Sequence, residues 1–96
     1  MLFAAIYTTT NTTEEAQQRS LELFTSWQPP VDFKAHYARA DGAGGIAIFE
    51  ADDAAVVLEA IAPFTSFFDF ETVPVLEIEQ AVPIFAQAQA WRASVG

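Results

Sequence analysis

The run from Gly44 to Ala62, GGIAIFEADDAAVVLEAIA, sets an apolar strand directly against a capped helix. The rest of the chain is placed by what that strand pairs with and what that helix covers. Ile46 to Phe49 is short, apolar and free of turn residues, the pattern of a buried strand. Asp52 is an N-cap candidate, because a carboxylate there accepts a free backbone N–H of the first turn. Beyond it Ala54, Val57, Leu58 and Ile61 recur at helical spacing as a core stripe, opposite Ala55, Glu59 and Ala62. Pro63 ends the helix.

Upstream, Asp41 to Gly45 (DGAGG) supplies residues tolerant of positive φ and signals a tight hairpin. The hairpin's first strand is Val31 to Ala40. Its period of two points Val31, Phe33, Ala35 and Tyr37 one way and Asp32, Lys34 and His36 the other, as in a half-buried edge strand. Leu2 to Tyr7 is apolar without alternation and fits a central strand covered on both faces. Thr8 to Thr13 is a polar turn in which Thr12 and Glu15 fit a capping box. The helix that follows carries Ala16, Ser20, Leu23, Phe24 and Trp27 on one side, and Glu15 and Arg19 as an i,i+4 pair on another. Gln28, Pro29 and Pro30 stop it.

Downstream, Phe64 to Phe70 (FTSFFDF) packs four Phe into seven positions before a strand-like run from Glu71 to Leu76. Pro74 lacks a ladder N–H and marks that strand as an edge or a bulge. Ala81, Ile84, Phe85, Ala88, Trp91 and Val95 then predict a third helix over about 80–94, with Pro83 in its first turn.

Strand, helix, strand, strand, helix, strand is the order of a ferredoxin-like α+β domain, βαββαβ. The expected sheet is four-stranded and antiparallel in the order 4-1-3-2, with two helices on one face and an extra C-terminal helix. One domain over residues 1–96 is expected, with a core of about 1–78. Its central strands are apolar on both faces, so something must cover the side away from the helices. Burying about 400 Å² there contributes about 10 kcal/mol before the costs of association. A second copy, the C-terminal helix or both are the candidates.

Composition narrows the function classes. Hydrophobic residues make up 52% of the 96, including nine Phe and two Trp, more than a domain this small can bury in one core. The surplus implies a homodimer interface or a ligand cavity. Thirteen acidic against four basic residues leave a formal charge of −9, which disfavours nucleic acid and anionic membrane surfaces as partners. With no cysteine there is no disulfide, thiolate, zinc-ribbon or Fe–S chemistry, and haem ligation would rest on His36 alone, so no cofactor is expected. No signal peptide or membrane span is recognisable, so a cytoplasmic protein is expected.

The runs FEADDAAVVLEAIA and SFFDFETVPVLEIEQA resemble a small bacterial family known only as a domain of unknown function, over roughly Met1 to Gln80. That family is similar in fold to the dimeric α+β barrel superfamily, which includes cofactor-independent monooxygenases, polyketide cyclases, muconolactone isomerases and haem-handling enzymes. The resemblance implies a dimer with a pocket between sheet and helices. It brings no catalytic residues, and it stops short of the C-terminal helix.

Few polar side chains could carry chemistry. His36 is the only histidine, hence the only group that titrates near neutrality unperturbed. Alternation sets it beside Asp32 and Lys34 on what reads as a solvated edge face. Asp69, between Phe68 and Phe70, is the carboxylate to consider as a second proton carrier if desolvated, although alternation favours exposure. Tyr7 and Tyr37 could position a ligand through their hydroxyls, and Trp27, Phe67 and Phe68 could line a pocket. The acidic pairs Glu14–Glu15 and Asp52–Asp53 sit at helix N-termini, where the dipole accounts for them, and no metal site is expected. The expectation is a homodimer binding or transforming a small apolar organic molecule without a cofactor. The rival is a non-catalytic interaction module whose apolar surface serves dimer or partner contact.

Overall fold

The computed structural model describes residues 1–96 as a four-stranded antiparallel sheet and three helices. The strands are β1 (Leu2–Thr9), β2 (Asp32–Ala38), β3 (Gly44–Glu50) and β4 (Phe68–Val75). The helices are α1 (Glu14–Ser26), α2 (Ala54–Ile61) and α3 (Ile78–Ser94), with a 3-10 turn over Ala62–Phe64. The sheet order β2-β3-β1-β4 is the expected 4-1-3-2 read from the other edge. The apolar strands β1 and β3 are central, and Pro74 lies on the edge strand β4 opposite Phe3.

The hairpin between β2 and β3 forms at DGAGG. Gly42 takes φ 76°, and its N–H reaches the Arg39 carbonyl at 3.0 Å. Asp41 accepts from the Ala43 N–H at 3.0 Å and from Arg39 Nη2 at 2.6 Å, which holds its carboxyl below the usual carboxylate range.

Both caps lie one residue beyond the expected ones. Thr13, not Thr12, caps α1 by accepting from the Ala16 N–H at 3.2 Å. Glu15 is then too early in the helix to complete a capping box, and Arg19 pairs with Glu22 at 3.4 Å instead of with Glu15. Asp53, not Asp52, caps α2 through the Val56 N–H at 3.0 Å. In α2 the buried positions are Val57 and Ala60, whereas Leu58 is 61% exposed and leaves the expected stripe. β4 starts at Phe68, three residues before the expected Glu71, and so takes two of the clustered phenylalanines into the sheet.

The largest departure is in β2. Its register shifts between Phe33 and Ala35, so Lys34 is an extra residue without a partner on β3. One extra residue sends all later side chains of a strand to the opposite face. Phe33 and His36 therefore stand on the same side, opposite Phe49 and Ala47, and Tyr37 turns to the other.

The helix-side core is small: Phe3, Ala5, Ala47, Phe49, Ala51 and Val57. The opposite face carries Ile6, Ile46, Tyr37 and Val73, each more than a third exposed. α3 begins at Ile78, so Pro83 falls in its second turn, not its first. The helix is capped by a reciprocal Glu77–Gln80 box, buries none of its residues and contributes to a long axis of 61 Å against 27 and 19 Å. It is not long and apolar enough to cross a membrane, and neither is any other helix.

Candidate functional site

The space between α1 and the sheet is not filled. The helix-side positions there carry methyl groups, Ala5, Ala47 and Ala38 on the sheet and Ala60 on α2, while large rings stand around them. A floor of small residues inside a rim of large ones leaves a cavity. Its volume is about 580 Å³, within the range of small-molecule sites. α1 contributes Gln17, Ser20, Leu21 and Phe24, Trp27 follows its last turn, and the sheet adds Phe33, Phe68 and Phe70. Ile61 and Phe64 complete the lining, and the cavity is open to solvent on one side. No charged side chain lines it.

The rings are mutually ordered. Trp27 and Phe64 meet edge to face at 5.0 Å between centroids, and Phe68 meets Tyr7 edge to face at 5.2 Å. His36 stacks on Phe33 at 5.4 Å and 9°. Such pairs fix side-chain orientation beyond what burial alone does.

One polar contact crosses this apolar space. Tyr7 Oη lies 2.7 Å from His36 Nε2. Desolvation raises the Tyr7 phenol above its ordinary value and lowers the His36 imidazole below its own, so both partners favour the neutral form at neutral pH. Gln17 and Ser20 turn their polar groups back to the helix: Gln17 Nε2 donates to the Thr12 carbonyl at 3.4 Å and Ser20 Oγ to the Gln17 carbonyl at 3.0 Å. A neutral pair of this kind can hold a ligand oxygen or receive a proton from it.

Of the residues singled out from sequence, Tyr7, Trp27, His36 and Phe68 converge on the cavity. Phe67 precedes β4 and does not line it. Asp69 points from β4 to the face opposite Phe68 and Phe70 and is exposed, as alternation favoured, away from Tyr7 and His36. Tyr37 is turned to that same open face by the bulge, 67% exposed and opposite Ile46. Phe33, Phe24, Phe64, Phe70 and the alanine floor were not foreseen. Alanines at alternating strand positions, Ala5 facing Ala47 across the ladder, were the available signal. No three His, Cys, Asp or Glu side chains come together as metal ligands.

The model of one domain family matches residues 1–89, from β1 through most of α3. The chain belongs to the DUF3303 family, a domain of unknown function. The DUF3303 match reaches beyond the Gln80 limit of the resemblance seen in sequence, so the family pattern includes most of the C-terminal helix. No curated protein matches the chain. In this DUF3303 member the cavity and its Tyr7–His36 pair are the features with chemical content.

Proposed function

We propose that this protein binds a small, largely apolar organic molecule in the cavity between α1 and the sheet, as a homodimer and without metal or nucleotide. The observation that carries the reading is an uncharged cavity of about 580 Å³ walled by aromatic rings, with one neutral hydrogen-bonded pair reaching into it. The rings lining it lack packing partners on their cavity side, contacts that a bound apolar molecule would supply. Tyr7 and His36 position the ligand, and His36 is the group that could take a proton from it through Tyr7.

The dimer is supported by the face of the sheet away from the helices. Ile6 and Ile46 are exposed there on the two central strands, and Tyr37 and Val73 continue the apolar patch onto the edge strands β2 and β4. Four strands at ~4.8 Å spacing and ~20 Å long offer about 400 Å², roughly half of what each partner contributes to a stable interface. The exposed apolar residues of α3, Ile78, Val82, Ile84, Phe85 and Trp91, with Val95 just past its end, can supply the rest.

Native mass spectrometry of freshly purified protein tests both parts. The expected spectrum is a dimer retaining a small organic adduct, or taking up an aromatic probe in stoichiometric amount. A chain that stays monomeric and takes up no apolar probe would refute the proposal. A bare dimer that refuses every probe would favour the interaction module, for which the open face and α3 would be the functional surfaces.

A further inference from the structure

We infer that the ligand is an uncharged aromatic molecule bearing a hydroxyl group, and that this hydroxyl donates to Tyr7 Oη. The inference rests on the cavity being a binding site and names what the site selects.

Charge is the first discriminator. The four basic residues of the chain are Arg19, Lys34, Arg39 and Arg92, and none lines the cavity. Three of them are already paired: Arg19 with Glu22, Lys34 with Asp32 and Arg39 with Asp41. A carboxylate or phosphate entering among these rings would lose its hydration and meet no cation. A ligand cation would find no carboxylate there either.

The walls supply the second. Trp27, Phe64, Phe33 and Phe68 present ring faces and edges over a floor of alanine methyls. A flat ring system can lie on that floor and meet the rim in the offset and edge-to-face geometries that aromatic pairs prefer. Saturated chains would fill the same volume without those contacts.

The direction of the Tyr7–His36 hydrogen bond supplies the third. We assign the donor to Tyr7, because a phenol is the better donor of the two and a neutral imidazole nitrogen the better acceptor; across the 2.7 Å contact Tyr7 O–H then donates to Nε2 and the imidazole proton sits on Nδ1. Tyr7 then has its donor occupied and its oxygen lone pairs free. Donation to His36 makes that oxygen a stronger acceptor, because hydrogen bonds in a chain polarise one another. The partner it lacks is a donor. A ligand hydroxyl completes the chain from ligand O–H to Tyr7 Oη to His36 Nε2, whereas a keto oxygen would meet lone pairs. The glycine opposite Tyr7 in the ladder, Gly45, leaves the space the phenol needs to lie in this position, since a Cβ there would collide with its ring and hydroxyl.

The test is isothermal titration calorimetry at pH 7 with four probes that share one ring system: 2-naphthol, 2-methoxynaphthalene, naphthalene and 2-naphthoate. 2-Naphthol is expected to bind about tenfold more tightly than 2-methoxynaphthalene, the loss of one buried hydrogen bond, and 2-naphthoate more weakly than naphthalene. Tyr7→Phe should erase the advantage of 2-naphthol while leaving the naphthalene affinity within about twofold, which separates a lost hydrogen bond from a damaged cavity. Equal binding of naphthol and its methyl ether, or a naphthol preference that survives Tyr7→Phe, would overturn the hydroxyl assignment with the cavity still standing as a binding site. Naphthoate binding as well as naphthol would overturn the exclusion of charge. Failure of all four probes, naphthalene included, would remove the binding site itself.

Discussion

Gly45 and Tyr7 face each other across the β1–β3 ladder, and the phenol of Tyr7 occupies the space where a side chain on Gly45 would project. A Cβ at Gly45 would also press on the Tyr37 carbonyl at 2.6 Å. The glycine is needed for room, not for backbone freedom. Gly45→Ala is therefore expected to push Tyr7 away from His36 and to destabilise the fold by about 1–3 kcal/mol through overpacking. Chemical denaturation gives the second number. The first is read from the His36 ring resonances, which should lose the tautomer set by Tyr7. An unchanged His36 spectrum in a destabilised variant would mean that the dyad tolerates the shift.

The alanine floor makes an opposite forecast. Ala47 is only 5% exposed yet points toward the cavity, between Ala5 and His36 in the ladder. In a filled core Ala47→Leu would cost about 1–3 kcal/mol. Above an unfilled cavity the added methylenes find apolar surroundings and contribute up to about 1 kcal/mol each that is fully buried. The expected result is a variant at least as stable as the parent, by urea midpoint, that no longer takes up an aromatic probe. A large loss of stability would show that the space is already packed.

What could be read from the sequence follows from what repeats. The strand and helix order was legible because periodicity and turn residues are local, and the central places of β1 and β3 followed from their lack of alternation. The site was legible only in part, because one residue without a ladder partner redirects half a strand. Lys34 has nothing in its chemistry that announces a bulge, and strict alternation through it exchanges the faces of His36 and Tyr37. The same inversion assigned Tyr37 to the core side, where the structure places Phe33 and His36. Helix caps shifted by one residue for a related reason: Thr12 and Thr13, or Asp52 and Asp53, are equally able to cap, and only the path of the preceding chain chooses. Asp69 between two phenylalanines is exposed, as strand alternation favoured, because neighbours in a strand point to opposite faces. A pocket between sheet and helices was expected from the apolar surplus and the family resemblance, but its floor was not located, since it consists of what four alanines do not fill.

His36 should also give the protein a pH dependence. Desolvation holds its imidazole below the ordinary 6.5, so near that pH the unfolded chain binds more protons than the folded one. Stability from this group is fully present above pH 6.5 and is lost as the pH falls through the depressed folded value. Phe33, Phe24 and Tyr7 face the ring, and of these only Tyr7 titrates, far above this range. His36→Phe should flatten the stability profile between about pH 7 and 5, with the parent falling more steeply. Parallel profiles would show that the imidazole is solvated in the folded chain.

The last forecast concerns α3. A helix of 17 residues with no buried side chain is close to the length at which isolated helices are only marginally stable in water. Pro83 in its second turn removes one backbone hydrogen bond and makes the isolated helix weaker still. Its apolar residues lie on two sides, Ile78, Val82 and Phe85 on one and Ile84, Trp91 and Val95 on another, so no single wet face accounts for them. If a second copy supplies the missing contacts, order in α3 must depend on protein concentration. In a Trp27→Phe background the remaining indole, Trp91, is 67% exposed in the single chain and should emit like a solvated indole at high dilution. As the dimer forms, its emission should move to shorter wavelength and helical circular dichroism should rise with the same midpoint. Truncation after Glu77 should weaken association while changing the stability of the dilute monomer by no more than about 0.5 kcal/mol, because no buried contact is removed. An indole that stays solvated in a chain sedimenting as a dimer would exclude α3 from the interface and leave the open sheet face to hold the two copies alone.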